Sequence, residues 1–544
     1  MSAQAGKDNR ESQKASANAV LACAWPALLL ATACLLPYLN KPFNIDDPLF
    51  LTMARQIVNH PTHPMDFDVC WNITSNLGAD CGKAYVLAPG NAMMGYVLVP
   101  TVLAGAHEWT AHLTQLALVW IAIVAMASLV LRFGWDRWHA IAGALLLVAI
   151  PPFLPMASTA MPDILATAVA LVAMERLAAW KAEQRWGQGA AAAIALGLAG
   201  FARAHLVLLL PLAALYLFSS TRPGEFFGQF RRRFWLWIPV IAGAALLATI
   251  IAITREHNLA LKPPAIYSGT QHLAINLWSY LLYLVFPLPL GLSWLANRIE
   301  RRRLRAVIIP AVAAGAAWFL HPWLVWFPAL VGFAVLADLL YEALDKAELT
   351  DLILLFWVLI PLPIVYYGHL PPKYLLPCMP AVILLCFRLT RVLPVRFFRA
   401  AALALILAGT GYSLLMLRSD AEFARFGRDS MYALIAPHVA AGEKVWYGGQ
   451  YWSYWYAPLA GATLTFPGGP QPKPGDLLVV DGLTGAKQSL APFPHRTLVE
   501  ETTHQYRFGR TMGGGAGLYS NIFGVWMWTI GTSDADRFEL WRIE

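Results

Sequence analysis

Two adjacent carboxylates, Asp46 and Asp47, stand in the stretch Asn44-Ile45-Asp46-Asp47-Pro48-Leu49-Phe50, just beyond the first apolar run of the chain. Side by side at the rim of a membrane they repel when both are ionised, so one of them is suited to taking a proton as a general base. The same residues also read as a helix start, with Asp47 as cap and Pro48 at the first helical position. Both readings hold together if Asp47 caps and Asp46 is left free. A third carboxylate, Asp163, follows Met161-Pro162 at the head of a later apolar run, where capping is again the plain structural role. Arg203, in Phe201-Ala202-Arg203-Ala204-His205, has apolar sequence on both sides. An arginine near hydrocarbon depth costs about 2.5 kcal/mol or more without a partner, and a phosphate group is one partner that fits. Lys262, His369 and Lys373 offer further cationic contacts, with snorkelling to the interface as their alternative.

The scaffold that holds such residues is legible in the composition. Of 544 residues, 58% are hydrophobic and 13% charged, against roughly 25% charged in soluble domains. That is too little polar surface to wrap a water-soluble core, and a mean hydropathy of +0.53 agrees. Apolar runs that cross about 30 Å of hydrocarbon have to be helical, so that each satisfies its own backbone. The formal charge of +8 raises the question of a nucleic-acid partner. However, the basic clusters Arg231-Arg232-Arg233, Arg301-Arg302-Arg303 with Arg305, and Arg388, Arg391, Arg396 and Arg399 all fall between apolar runs. That is the pattern of cytoplasmic loops, not of a nucleic-acid stripe.

Lys7, Arg10 and Lys14 precede an apolar run from Ala19 to Leu39 that is too long for a signal-peptide core and lacks a small-residue cleavage site. It reads as a retained first helix, which puts the tail 1–18 in the cytoplasm and a large loop, 40–90, outside. An amphipathic helix is predicted in that loop over Pro48 to Asn59, with Leu49, Met53 and Ile57 on one face, lying at the interface without spanning. Ala92 to Ala106 is short and broken by Pro100. Counted as a span it would turn every later basic cluster outward, so it is predicted to be re-entrant or interfacial. Further spans are predicted near 113–131, 139–157, 163–180, 188–202, 204–219, 234–253, 276–296, 306–320, 323–340, 351–367, 374–389 and 399–417. With the first helix these make about 13 crossings over 19–417. The same count brings Asp46, Asp47, Asp163, Arg203, His205, Lys262, His321-Pro322, His369, Lys373 and Tyr374 to the outer face.

Beyond Leu417 charges spread out and Gly and Pro become frequent, so 418–544 reads as an outer α/β domain. A helix is predicted over Glu422 to Ala440, with strands at Lys444 to Tyr447, Leu477 to Val480, Thr497 to Phe508 and Phe538 to Ile543. The aromatic run Trp446, Tyr447, Tyr451, Trp452, Tyr454, Trp455 and Tyr456 reads as core and interfacial belt ahead of a sugar-stacking platform. Of six cysteines none forms a metal-binding spacing; Cys70 and Cys81 share the outer loop and are the disulfide candidates.

Taken in order, Asn44 to Phe50, Met161-Pro162-Asp163, Phe201 to His205 and Lys373-Tyr374-Leu375-Leu376-Pro377-Cys378-Met379-Pro380 resemble the GT-C superfamily of glycosyltransferases. More narrowly they resemble the bacterial family 39 type, related to protein O-mannosyltransferases and lipid A aminoarabinose transferases. The similarity runs over roughly Ala19 to Leu417 and lies in the order and placement of the motifs. It implies an α-helical polytopic protein of a bacterial inner membrane, with a cytoplasmic N-terminus and a small periplasmic α/β domain. By that resemblance Asp46 matches the catalytic carboxylate, Asp47 the acid beside it and Asp163 a second acid. Arg203 matches the usual basic residue and Lys373-Tyr374 a frequent Arg-Tyr, beside a donor's polyprenyl phosphate; His205 and Lys262, expected on the same outer face, are placed with them. Where relatives have Glu-Lys-Pro-Pro, this chain reads Val86-Leu87-Ala88-Pro89-Gly90. A carboxylate that helps hold a divalent metal in some relatives is therefore missing, and no cofactor is assigned.

The chemistry so implied is transfer of a sugar from a polyprenyl-phosphate donor to a hydroxyl of a lipid, glycan or protein acceptor, with inversion and with Asp46 as base. Two other classes stay open. A lipid-linked-sugar transporter or flippase tends to have repeated halves with broken helices near the midplane. A non-catalytic glycan-assembly protein would act through its aromatic outer domain.

Overall fold

In the computed structural model of the chain, the described residues are 16–71, 80–87, 91–218, 234–254, 270–285, 335–341, 343, 349–391, 393–466, 469–482, 490–530 and 536–544. Ser16 caps the first helix, Ala17–Leu35, by accepting from the Ala19 amide at 3.2 Å. Among the described residues five helices are long and apolar enough to cross a membrane: Ala17–Tyr38, Glu108–Arg132, Phe234–Thr254, Pro372–Thr390 and Val395–Ala440. Shorter apolar helices, among them Arg137–Ala149, Trp186–Ala202 and Ala204–Phe218, pack between them. The helix Asp163–Glu183 has the length to cross but carries Asp163, Glu175 and Arg176, all paired with other side chains.

Several expected spans differ from simple helices, and proline is the usual reason. The span expected over 139–157 is a helix only over Arg137–Ala149. Ile150 is extended ahead of Pro151-Pro152, and Phe153–Ala157 adds a separate turn. A residue before proline is pushed out of the helical region, and proline itself cannot donate. The spans expected at 204–219 and 374–389 both open as 3-10 turns, Ala204–Leu208 and Pro372–Cys378. The expected span 306–320, most of 323–340, the second half of 276–296, the clusters at Arg231 and Arg301, and His321-Pro322 lie outside the described residues.

The predicted amphipathic helix is present over Asp47–Asn59, with Leu49, Met53 and Ile57 all buried. Its apolar face meets the helix Ala92–Leu103, where Gly95 leaves room for Met53 and Ile57. At 12 residues, about 18 Å, that second helix is too short to cross hydrocarbon.

Polar groups collect at two ends of the helical part. At one end Arg132 meets Glu175 at 2.6 Å and Glu183 at 2.9 Å, while Arg391 and Arg399 each lie 4.3 Å from the rings of Trp135 and Trp138. At the other end lies Asp163. The 21-residue helix from Asp163 to Glu183 separates the two by about 31 Å, close to the thickness of hydrocarbon.

The boundary expected at 417/418 falls inside one unbroken 46-residue helix, Val395–Ala440, so no linker divides the chain there. The expected span 399–417 and the expected helix Glu422 to Ala440 are two parts of it. No proline or glycine lies next to 417/418 to stop the helix there, and it runs closely past its neighbours. A side chain at Gly427 would stand 2.6 Å from the Trp452 ring.

Two strands, β1 (Asp68–Trp71) and β2 (Asp80–Lys83), form an antiparallel pair in the first loop. After the long helix come β3 (Val445–Tyr447), the helix Trp452–Leu459, β4 (Thr463–Leu464), β5 (Leu477–Asp481), β6 (Arg496–His504), β7 (Met512–Gly513), β8 (Ala516–Gly517) and β9 (Asp536–Ile543). Five of them make a mixed sheet in the order β4-β3-β5-β9-β6, with β3 parallel to β4 and β5, and β9 antiparallel to β5 and β6. Within the aromatic run, Trp446, Tyr447, Tyr451, Trp452, Trp455 and Tyr456 are buried, which is the core reading.

Candidate functional site

The loop after the first helix is built to present Asp46. Phe43 is fully buried edge-on against Trp455, and its amide donates to the Tyr456 hydroxyl at 2.8 Å. Ile45 has φ 50°, a left-handed conformation that a β-branched residue rarely adopts and that costs about 1–3 kcal/mol. The Asn44 side chain accepts from the Ile45 amide at 2.8 Å and so supports that turn. Asp46 then occupies the cap position of Asp47–Asn59 without a capping hydrogen bond from its side chain, which leaves the carboxylate free of the helix.

Asp47 does not cap in the expected way. It is already the first residue of the helix, and its two oxygens accept from the amides of Asn44, at 2.9 Å, and Ala160, at 2.7 Å. It is fully buried and clamps the first loop to the Pro151-to-Asp163 segment. Burial, opposed by Lys41 and those two amides, pushes its carboxyl up to about 7.

The partner of Asp46 is Lys373, whose Nζ lies 3.4 Å from Asp46 Oδ2 and 3.3 Å from Met161 Sδ. The lysine side chain is only 3% exposed and the carboxylate 31%, so the pair opens to its surroundings on the Asp46 side. Lys373 is delivered by the 3-10 turn Pro372–Cys378, where Pro371-Pro372 stiffens the approach. Next along that turn, the ring of Tyr374 lies 4.4 Å under the Arg203 guanidinium and 5.7 Å from Lys373 Nζ. Arg203 leaves the end of Trp186–Ala202 in an extended conformation and forms a buried ion pair with Asp163. The four residues Asp46, Lys373, Arg203 and Asp163 thus form a chain of contacts around Tyr374, all at one end of the helices.

Asp163 Oδ2, Arg203 Nε and His205 Nε2 are buried without a hydrogen-bond partner among the described residues. Unpaired polar atoms at that density are costly unless something polar is held there. His369 Nε2 lies 3.2 Å from the Tyr374 hydroxyl. Burial, with Lys373 and Arg203 close by, holds its imidazole down to about 3, so His369 is neutral and is not the cationic contact expected of it.

A second buried network, unforeseen in the sequence, stands beside the first. Lys41 forms an ion pair with Asp420 and donates to the Ser158 carbonyl at 3.0 Å and hydroxyl at 3.2 Å. Asp420 also accepts from Thr511 Oγ1 at 3.1 Å and from the Tyr519 hydroxyl at 2.7 Å. This joins the first loop, the proline-rich segment, the long helix and the C-terminal region. Lys41 sits in the same rim loop as Asp46, which was a signal; Asp420 lies among ordinary surface-type residues of a helix and carried none.

Lys262 lies outside the described residues. Cys70 and Cys81 face each other across β1 and β2 and are joined as a disulfide. Among the described residues no group of three or more His, Cys, Asp or Glu side chains is arranged to hold a metal ion.

No family model matches the chain, and no curated protein matches it. Solved structures similar to it include two of ArnT from Cupriavidus metallidurans. The form bound to undecaprenyl phosphate aligns at 14% identity and a TM-score of 0.44, covering 89% of this chain and 97% of that one. The apo form aligns at 14% identity and a TM-score of 0.44, covering 88% and 96%.

Proposed function

We propose that the chain is a membrane glycosyltransferase that moves a sugar from a polyprenyl-phosphate donor to an acceptor hydroxyl. The observation that carries this reading is the 3.4 Å contact between a partly exposed carboxylate, Asp46, and a buried cation, Lys373, with the Arg203–Asp163 pair one ring away. A base and fixed cations at one rim suit a displacement in which a hydroxyl attacks and a phosphate departs.

In that mechanism Asp46 takes the proton of the acceptor hydroxyl as its oxygen bonds to the anomeric carbon. The bond from that carbon to the phosphate oxygen breaks on the opposite face, so the configuration inverts. The lipid phosphate leaves with the electron pair and is stabilised by Lys373 and Arg203. Asp163 holds Arg203, and Asp47 holds the loop that carries Asp46, so Asp47 is a positioning residue. His205, with its unpaired Nε2, is a further donor to the phosphate, and Lys262 is assigned there from its position in the sequence alone.

About 13 crossings of a bacterial inner membrane go with this reading. The end carrying Arg132, Arg391 and Arg399 faces the cytoplasm; the site and 418–544 face the periplasm. The test is mass spectrometry of envelope glycolipids and glycans from cells with and without the protein. Loss of one sugar supports the reading. A full set of glycans, together with movement of intact lipid-linked sugar across reconstituted vesicles, would replace it with transport.

A further inference from the structure

Residues 519–521 of the C-terminal region reach the site just described, one of them beside Lys373 and another against the backbone ahead of it. Tyr519, Ser520 and Asn521 are all buried. The Asn521 side-chain oxygen accepts from the Leu370 amide at 2.9 Å, and its nitrogen donates to Asn276 Oδ1 and Ser279 Oγ, each at 2.9 Å. That fixes the backbone three residues ahead of Lys373. The Tyr519 ring lies 5.2 Å from Lys373 Nζ, so the ammonium is near both this ring and that of Tyr374 at 5.7 Å. The Tyr519 hydroxyl is anchored at 2.7 Å on Asp420, which is itself held by Lys41 and Thr511.

The Tyr519 hydroxyl is tied to a carboxylate with several partners of its own, and its ring lies near a cation whose described polar neighbours are Asp46 and Met161. A buried ammonium with so few oxygen partners draws stabilisation from aromatic faces, more so when the contact is desolvated.

We infer that Tyr519 is a positioning residue whose ring holds the Lys373 ammonium against Asp46. The C-terminal region thereby completes the site contributed by the helices. Its consequence for phosphate binding rests on the transferase reading; the contact itself does not.

The experiment uses the full chain in detergent and measures two quantities in the wild type, Tyr519→Leu, Tyr519→Phe, Lys373→Met and the Tyr519→Leu/Lys373→Met double variant. One is the affinity for undecaprenyl phosphate, used as the probe lipid phosphate. The other is the rate of reductive methylation at Lys373, read by mass spectrometry. Tyr519→Leu is expected to weaken the lipid about tenfold in the wild type and hardly at all in Lys373→Met, with Tyr519→Phe within about threefold of wild type. Lys373 should be methylated several-fold faster in Tyr519→Leu and at nearly the wild-type rate in Tyr519→Phe. Equal losses in both backgrounds, or no loss, would overturn the inference. If Lys373→Met itself leaves the affinity unchanged, the phosphate role of Lys373 fails, and methylation alone decides. A faster rate in Tyr519→Leu then upholds the positioning contact, and an unchanged rate overturns it.

Discussion

Asp46 and Lys373 are 327 positions apart in the chain and 3.4 Å apart in the fold. The carboxylate is partly open and the ammonium closed off, so the pair faces its surroundings through Asp46.

Removing the cation should damage the chemistry more than the fold. Lys373→Met is expected to lower transfer about 100-fold or more, the range seen for deleting one donor to a developing negative charge. The melting temperature should change little, because Asp46 retains contact with solvent.

The Arg203–Asp163 pair behaves differently, since both side chains are buried. Asp163→Ala leaves a buried guanidinium uncompensated and is expected to destabilise the protein by about 3–5 kcal/mol. Arg203→Leu added to it should restore much of the thermal stability but no transfer. Thermal unfolding of the detergent-solubilised variants, read beside activity, separates the two effects.

Stability should also depend on Asp47. Its folded carboxyl is pushed up to about 7 from an ordinary 3.8, chiefly by burial. Between those values the folded chain keeps a proton that the unfolded chain has lost, so stability from this group falls as pH rises through the window and recovers as pH falls. The melting temperature of the wild type minus that of Asp47→Asn should therefore increase as pH is lowered from about 8 to about 5. Parallel profiles would remove Asp47 as the source.

Maleimide labelling of the denatured chain checks the bridge in the first loop. Without reductant, Cys70 and Cys81 should stay unlabelled, and both should label after reduction. Labelling of both before reduction would show the pair open.

Part of the helical scaffold was legible because hydrocarbon leaves one solution for an apolar run, while prolines shifted the ends of several expected helices. What the sequence concealed were relationships between distant segments. Asp46 was identifiable from two carboxylates beside a helix start, yet nothing local distinguished Asp47 as a clamp on Ala160. Arg203 announced itself by sitting in apolar sequence, and its partner proved to be Asp163. Asp420 and Tyr519 gave no local sign at all: one lies in a long helix and the other in a glycine-rich region, and their meaning comes from Lys41 and Lys373, which meet them only in the fold. The expected boundary at 417/418 falls inside one helix, because a change in composition does not require a helix to end there.

The most direct test of the central claim is complementation. Cells lacking the protein are supplied with the wild type or with Asp46→Asn at matched levels, and envelope glycolipids and glycans are analysed by mass spectrometry. The wild type should restore the missing sugar, and Asp46→Asn should restore none while melting at the wild-type temperature after extraction. Full restoration by Asp46→Asn would contradict the assignment of Asp46 as the base.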